Sequence, residues 1–514
     1  MTHFAAAVPV DAAPRQPERP APGARAARLS RTLVVFAAAV VVDLFRPINA
    51  SQRFSLFGED SSIFIQQSRA NGILHSFTTI YAGYYHAVPR IASAIASALP
   101  LSWTPPIFAM TSVLVAAFVA AVAYECGLGV GLSTPSAAVL AGTVLLLPAS
   151  GFEISESLTY VQWYCEAGAV VFIVAWAAGH TARPLPVAVL LAVATLTSPL
   201  IPLTAPVIAV VTYRRRRPLD VAVVAGVGIG TVLQAYGHFK AHDPTPLHLS
   251  PRAIFNLFTV RTVDASAVGL RFDYTVYHWL ALPGAAALGA VIFVGLALLA
   301  LRARPPGVRP LMLVCLGLSL WLLAIGVILR DLGALPDLAF VLNGPDRAFP
   351  VASRYFGPSG VLLVMAVLVY LDSPRRRPAP PDDGPAPAVN GGPASGVNGI
   401  AATAVNGTAT ASVNGTATAP VNGGRVAAGW LRARPVVLVY LATVLVLNVP
   451  LSLSRAPLSA WEHDVAAARS TCVRTGGASR VVVSNAPGPV WKIDLTCEQA
   501  FGIPDRHAPG QRGG

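Results

Sequence analysis

Apolar runs long enough to cross a bilayer recur along this chain, and the segments between them are short and collect arginine. A helix needs about 20 such residues to span the hydrocarbon core, and each backbone polar group must find its partner inside the segment, so every run is committed to helix. Runs near 29–45, 104–124, 134–150, 161–178, 185–198, 201–213, 219–237, 279–301, 310–329, 355–371 and 434–450 give about eleven spans by this criterion. Composition agrees: 12% of residues are charged, against about a quarter in soluble proteins, and mean hydropathy is +0.59. The expected fold class is an all-α polytopic membrane protein.

In a soluble protein the net charge of +13 would point to nucleic acid. Here the arginines sit in short loops, as the positive-inside rule requires, so the basicity reads as topology and no nucleic-acid partner is expected. Arginine-bearing segments at 15–31, 183, 214–217, 302–309, 375–377 and 425–434 all fall on the cytoplasmic side if the short pair 185–213 goes out and back, turning at the two prolines of Thr197-Ser-Pro-Leu-Ile-Pro202. Whether that pair is re-entrant or two spans stays open. The expectation is a plasma-membrane protein with its N-terminus cytoplasmic and its C-terminus outside. Lysine occurs only at Lys240 and Lys492, the codon bias of a GC-rich genome such as an actinobacterial one.

This threading divides the chain. Residues 1–28, rich in Pro, Ala and Arg, read as a disordered cytoplasmic start; 29–371 form a transmembrane core with outside loops 46–103, 238–278 and 330–354. Residues 372–433 read as a disordered cytoplasmic linker. It carries V-N-G at Val389, Val397, Val405, Val413 and Val421, an even spacing with nothing large to bury. The last span, 434–450, leads to an outside tail, 451–514, and these two can form a module of their own. Cys472 and Cys497 flank strand-like runs in that tail, and an oxidising location allows them to pair.

Chemistry-bearing residues concentrate in the outside loops. Phe57-Gly-Glu-Asp-Ser-Ser-Ile-Phe64 sets Glu59 beside Asp60 just after the first span. Asp60 suits the N-cap of a helix running from Ser61 to about Asn71-Gly72, but a cap uses one carboxylate and here there are two. Ile80-Tyr-Ala-Gly-Tyr-Tyr-His-Ala-Val-Pro-Arg90 and the apolar stretch to Leu99 suit a helix lying in the membrane interface. Between the third and fourth spans lie Glu153 and Glu156, followed by Gln162, Trp163 and Tyr164; Trp163 suits an interfacial anchor or a sugar-stacking face. Glu166 lies inside the fourth span, where a carboxyl is costly unless it faces a polar cavity. Arg347 and the Ser353-Arg-Tyr-Phe-Gly-Pro358 run stand at the mouth of the tenth span. His238 and His242 share a helix face, but Pro244 and Pro246 follow with no third ligand, so a solvated loop is expected there.

An acidic pair after the first span, a "YAGYYHAVPR" run, "VQWY" and "RYF" before a late span resemble the GT-C superfamily of membrane glycosyltransferases, over roughly residues 29–371. What the resemblance implies is a GT-C-like core working on the outer face, with a polyprenyl-phosphate-linked sugar as donor and an envelope glycan, lipid or protein as acceptor among membrane lipids. It implies a catalytic base at Asp60 or Glu59, donor phosphate at Arg354 with Arg90 or Arg347, and substrate contacts at Tyr84, His86, Glu156, Trp163 and Tyr355. It fixes no cofactor; a divalent metal at Asp60 stays open. The rival readings are a secondary transporter or flippase for envelope precursors, which the proline-broken hairpin favours, and a noncatalytic envelope-assembly scaffold.

Overall fold

The structure, a computed structural model, describes residues 22–46, 54, 56–149, 157–241, 250–303, 305, 307–329, 341–342, 348–349, 353–373, 423–448, 458–484 and 492–505. Helix α1 (Pro22–Leu44) is followed by a π-helical turn (Asp60–Ile65) that runs directly into α2 (Gln66–Asn71), then by α3 (Ile73–Thr78) and α4 (Ala87–Ser97). The bundle continues with α5 (Thr104–Gly129), α6 (Thr134–Leu146), α7 (Val161–Ala177), α8 (Pro184–Thr197), α9 (Ala205–Arg215) and α10 (Pro218–Ala241). After α11 (Pro251–Asn256), a second π-helical turn (Leu257–Asp264) and α12 (Ala265–Val268) come α13 (Leu270–Arg302), α14 (Val308–Leu329), α15 (Gly357–Leu371) and α16 (Gly423–Asn448). Among the described residues five helices are long and apolar enough to cross a membrane, and four shorter apolar ones accompany them.

Proline and serine set several of the helix starts. Pro184 opens α8 and Pro135 sits in the first turn of α6, where the missing N–H costs nothing, and Ser133 caps α6 by accepting the Ser136 N–H. Small residues set the close approaches. A Cβ on Gly226 would lie 2.5 Å from the Ala188 carbonyl oxygen and one on Gly230 2.5 Å from Thr195 Cβ, so these two glycines, four apart, let α10 lie directly on α8. Gly168 does the same for α7 against Val119 of α5. The hairpin expected at Thr197–Pro202 is present: α8 ends at Thr197, a short 3-10 turn (Ile201–Thr204) follows, and α9 returns. Arg215 closes it by donating to the carbonyls of Trp176 (2.9 Å) and Ala177 (2.5 Å).

Side-chain ties fix the two ends of the bundle. At one end Arg28 pairs with Glu125, His180 packs on Gly129, and Arg434 bridges Asp372 (2.7 Å) to Ser133. The arginines 183 and 214–217 border the same end, since α7 closes and α8 opens there. The first loop and the starts of α5, α7 and α15 lie at the opposite end, held by bonds from Tyr85 to Gln234 of α10 and from Asp60 to Thr159. The last helix does not stand apart: α16 packs on α6, with Leu445 against Gly142, and Tyr440 donates to the Ala267 carbonyl (2.7 Å).

The tail builds a small module. After α17 (Leu458–Arg474), antiparallel strands β1 (Arg480–Ser484) and β2 (Lys492–Thr496) pair Arg480 with Thr496 through Ser484 with Lys492, and α18 (Cys497–Phe501) follows with a capping box from Thr496 and Gln499. Cys472 and Cys497 are disulfide-bonded. Alternation puts Val481, Val483, Ile493 and Leu495 inside, a core too small to hold without such a staple. The module rests on the first loop, with Gln66 accepting the Asp494 N–H (3.2 Å) and Arg69 donating to the Ala500 carbonyl (3.3 Å).

Candidate functional site

The acidic pair splits into two roles by geometry. Gly58, at φ +56°, turns the chain so that Glu59 and Asp60 enter the π-helical turn facing different ways. Asp60 is fully buried. Its Oδ1 accepts from the Thr159 N–H (2.8 Å) and hydroxyl (2.7 Å), and its Oδ2 from the Phe57 N–H (3.2 Å). The expected N-cap is therefore replaced by something longer in range: the helix starts at Asp60 itself, its own N-cap makes no side-chain bond, and the carboxylate ties the first loop to the start of α7. The helix does end at Asn71 with Gly72 at φ +82°.

Glu59 is half-buried and less committed. Its Oε1 accepts from the Tyr81 hydroxyl at 3.4 Å, and its Oε2 is buried with no hydrogen-bond partner among the described residues. Burial first, and the Glu59 carboxylate next, hold the Tyr81 phenol above its usual range, while Arg354 pulls it the other way. Tyr81 thus lies within the field of both a carboxylate from the first loop and a cation from the mouth of α15. Its position comes from a tight turn in which Tyr81 and Tyr84 exchange both backbone bonds (3.2 Å each) across Ala82 at φ +51° and Gly83 at φ +81°. Both central residues are left-handed, as a type I′ turn needs. That is the physical content of the Tyr-Ala-Gly-Tyr stretch.

Arg354 is half-buried, with its guanidinium 4.9 Å from the Tyr160 ring centroid and 5.3 Å from that of Tyr355. Tyr355 meets Trp163 edge-to-face at 4.7 Å, and Phe57 meets Tyr160 at 6.0 Å. Elements from three places in the sequence, the first loop, the start of α7 and the start of α15, therefore share one aromatic-walled patch carrying Glu59 and Arg354. Tyr84 and His86 stack at 4.0 Å beside it; the Tyr84 hydroxyl donates to Gln162 (2.6 Å), and His86 Nε2 faces the Tyr81 carbonyl (3.3 Å). Trp163 is buried, so Tyr355 is the more open of that pair.

Arg90 is built into the loop. It is buried against the Phe64 ring (5.0 Å), donates to the Ser76 hydroxyl (3.1 Å) and the Thr79 carbonyl (3.2 Å), and burial pushes its guanidinium down to about 10. On α4 the opposite face, Ile91 and Ile95, with Leu99 just past the helix end, is exposed at four-residue intervals, the pattern of a helix lying in a membrane interface. Arg347, Glu153 and Glu156 lie outside the described residues, as do His242 and His248.

Sequence reasoning passed over Thr159, Tyr160 and Tyr81 as site residues, and it read 238–278 as solvated. Arg261 and Asp273 are instead fully buried and paired at 3.3 Å, with Asp264 buried next to them and Arg261 5.5 Å from the Phe356 ring at the mouth of α15. Burial, then the neighbouring Asp273, pushes Asp264 up to about 7; burial pushes Asp273 up to about 7 against the pull of Arg261. Among the described residues no group of three or more His, Cys, Asp or Glu side chains is placed to hold a metal. A divalent ion at Asp60 would have to displace the donors from Thr159 and Phe57. No protein-family model matches the chain, and no curated protein or solved structure matches it.

Proposed function

We propose that the chain is a membrane glycosyltransferase of GT-C-like architecture with about eleven spans, moving a sugar from a polyprenyl-phosphate donor to an envelope glycan, lipid or protein acceptor on the extracytoplasmic face. The observation that carries the reading is the meeting of Glu59, Tyr81 and Arg354 on one aromatic-walled patch, at the end of the bundle away from the arginine-rich loops. Glycosyl transfer from a lipid phosphate needs a base for the acceptor proton and a cation for the departing phosphate. Glu59 takes the acceptor O–H proton as the acceptor oxygen bonds to the anomeric carbon. The bond from that carbon to the phosphate oxygen breaks, and Arg354 holds the phosphate. Direct displacement inverts the anomeric centre. Asp60 positions the turn, Tyr81 orients Glu59, and Arg90 supports the loop.

The test is transfer from a synthetic polyprenyl-phosphate sugar to membrane acceptors by purified protein in nanodiscs. Glu59→Gln and Arg354→Ala should each reduce the rate about 100-fold or more, with normal protein abundance. Full transfer by both variants refutes these assignments. One arrangement favours the transport reading: Ser198, in the proline-broken hairpin, donates to buried Glu166 of α7 at 2.8 Å. Sugar-lipid flux in sealed vesicles without a new glycosidic bond would establish transport in place of transfer.

A further inference from the structure

Between α1, α5, α7 and α8, and reaching Val88 of α4 at its far end, runs a cavity of about 530 Å³ whose walls are almost wholly aliphatic and aromatic. Leu33, Phe118 and Leu190 along it remain exposed, so it opens sideways. On α5 its lining runs from Val115 to Cys126, and on α8 from Arg183 to Ala194. At 1.5 Å per residue each stretch measures about 16 Å, half of the roughly 30 Å hydrocarbon core, which is the depth of one leaflet.

Only one end of this groove is polar, the end where His180 and Arg183 line it and Glu125 closes it. A second cavity of about 220 Å³ adjoins it there, sharing His180 and Ala182 and reaching Arg215 and Arg217. The carboxylates of both cavities are engaged. Glu125 is held by Arg28 and Thr32, and Asp220 accepts from Trp176 Nε1 (2.9 Å) and the Arg217 N–H (2.7 Å). Arg215 is spent on two carbonyls. The guanidinium groups of Arg183 and Arg217 make no hydrogen bond or ion pair with any described residue. A leaflet-deep apolar slot thus ends in uncompensated positive charge.

We propose that this composite site binds an anionic phospholipid of the leaflet on the arginine-rich side, its acyl chain lying along α5 and α8 and its phosphate between Arg183 and Arg217. A basic pocket between transmembrane helices at the arginine-rich end is the arrangement that captures anionic headgroups. The polar end that would hold the phosphate lies at the other end of the bundle from Glu59 and Arg354, so the lipid phosphate takes no part in the transfer chemistry.

The test uses the full chain in nanodiscs that mix phosphatidylglycerol and phosphatidylcholine with identical acyl chains, followed by native mass spectrometry. Phosphatidylglycerol should be retained in preference. Arg183→Gln with Arg217→Gln should cut that preference about fivefold per arginine removed, and the corresponding pair of Lys substitutions should keep most of it. A photoreactive residue at Leu190 should capture acyl chains more strongly than one at Val291 on the outward face of α13. Equal retention of the two lipids, a preference unchanged in the Gln pair, or labelling at Leu190 no stronger than at Val291 would overturn the proposal.

Discussion

Asp60 and Glu59 are neighbours with opposite predicted phenotypes. Asp60→Asn keeps an oxygen for Thr159 but turns an amide N–H toward the Phe57 N–H, leaving buried donors face to face at a site with no solvent access. An unsatisfied buried donor costs about 1–3 kcal/mol, and weakening the two Thr159 bonds from charged to neutral strength removes about 1 kcal/mol each, so the expected loss is roughly 3–5 kcal/mol. Glu59→Gln disturbs one long bond at a half-buried position and should change stability by less than about 1 kcal/mol, while removing the proton acceptor. Thermal unfolding in detergent can be followed with a thiol-reactive fluorophore, because Cys315 is free and buried away from the groove and reacts only as the bundle opens. Asp60→Asn should melt well below wild type; Glu59→Gln should melt with it yet lose about 100-fold or more in transfer. If Asp60→Asn melts at the wild-type temperature, the latch to α7 is wrong. Full transfer by Glu59→Gln removes the base from the mechanism.

Tyr84→Phe strands Gln162 in a buried setting and should cost about 1–2 kcal/mol in the same melting assay, with Gln162→Leu in the Phe background recovering part of it. The raised pair Asp264 and Asp273 carries a signed pH dependence. Each carboxyl titrates near 7 folded against 3.8 unfolded, so burial in the charged form costs nothing below about pH 4 and weighs increasingly as pH rises toward 7. Stability should fall across that window, and Asp264→Asn should flatten the fall. A melting temperature that rises from pH 5 to pH 7 in wild type and stays unchanged in the variant would contradict this.

The membrane-spanning helical class was legible because lipid leaves the backbone one solution per apolar run, and the hairpin at 197–202 because proline ends helices. The stretch from Ile80 reads as part of an interfacial helix, but that helix starts only at Ala87; Tyr81–Tyr84 form a turn that needs a left-handed Ala82, for which the sequence carries no signal. Thr159 carried no signal at all. A threonine before a span is ordinary, and its value lies in meeting Asp60 across 99 positions of sequence, a relation set by how α5 and α7 close on Gly168. The burial of Arg261 and Asp273 was misread for a related reason. Charged residues between spans suggest solvent, and only the packing of the second π-helical turn on α13 shows the pair buried, with the mutual contact offsetting part of its desolvation.

The tail completes the same logic, because Arg69 joins three elements through one side chain. It donates to the carbonyls of Ala96 (3.1 Å) and Leu99 (2.5 Å) at the end of α4 and to that of Ala500 (3.3 Å) in α18, and burial lowers its guanidinium from the usual range. Ala96 stands in the last turn of α4 and Leu99 just beyond it, so Arg69 braces that helix end from outside. Arg69→Met keeps much of the apolar stem and loses these bonds, for an expected cost of about 2–4 kcal/mol. The loss should be local in origin: hydrogen exchange should quicken in α18 and at the end of α4 before the spans respond. A tail that merely tethers to the last helix would exchange in the variant as it does in wild type. Because β2 and α18 also bond to α2, which continues the turn bearing Asp60, through Gln66 and the Ala70 carbonyl, quicker exchange at Asp60–Ile65 in the same variant would mark the tail as part of the scaffold that holds the acidic pair.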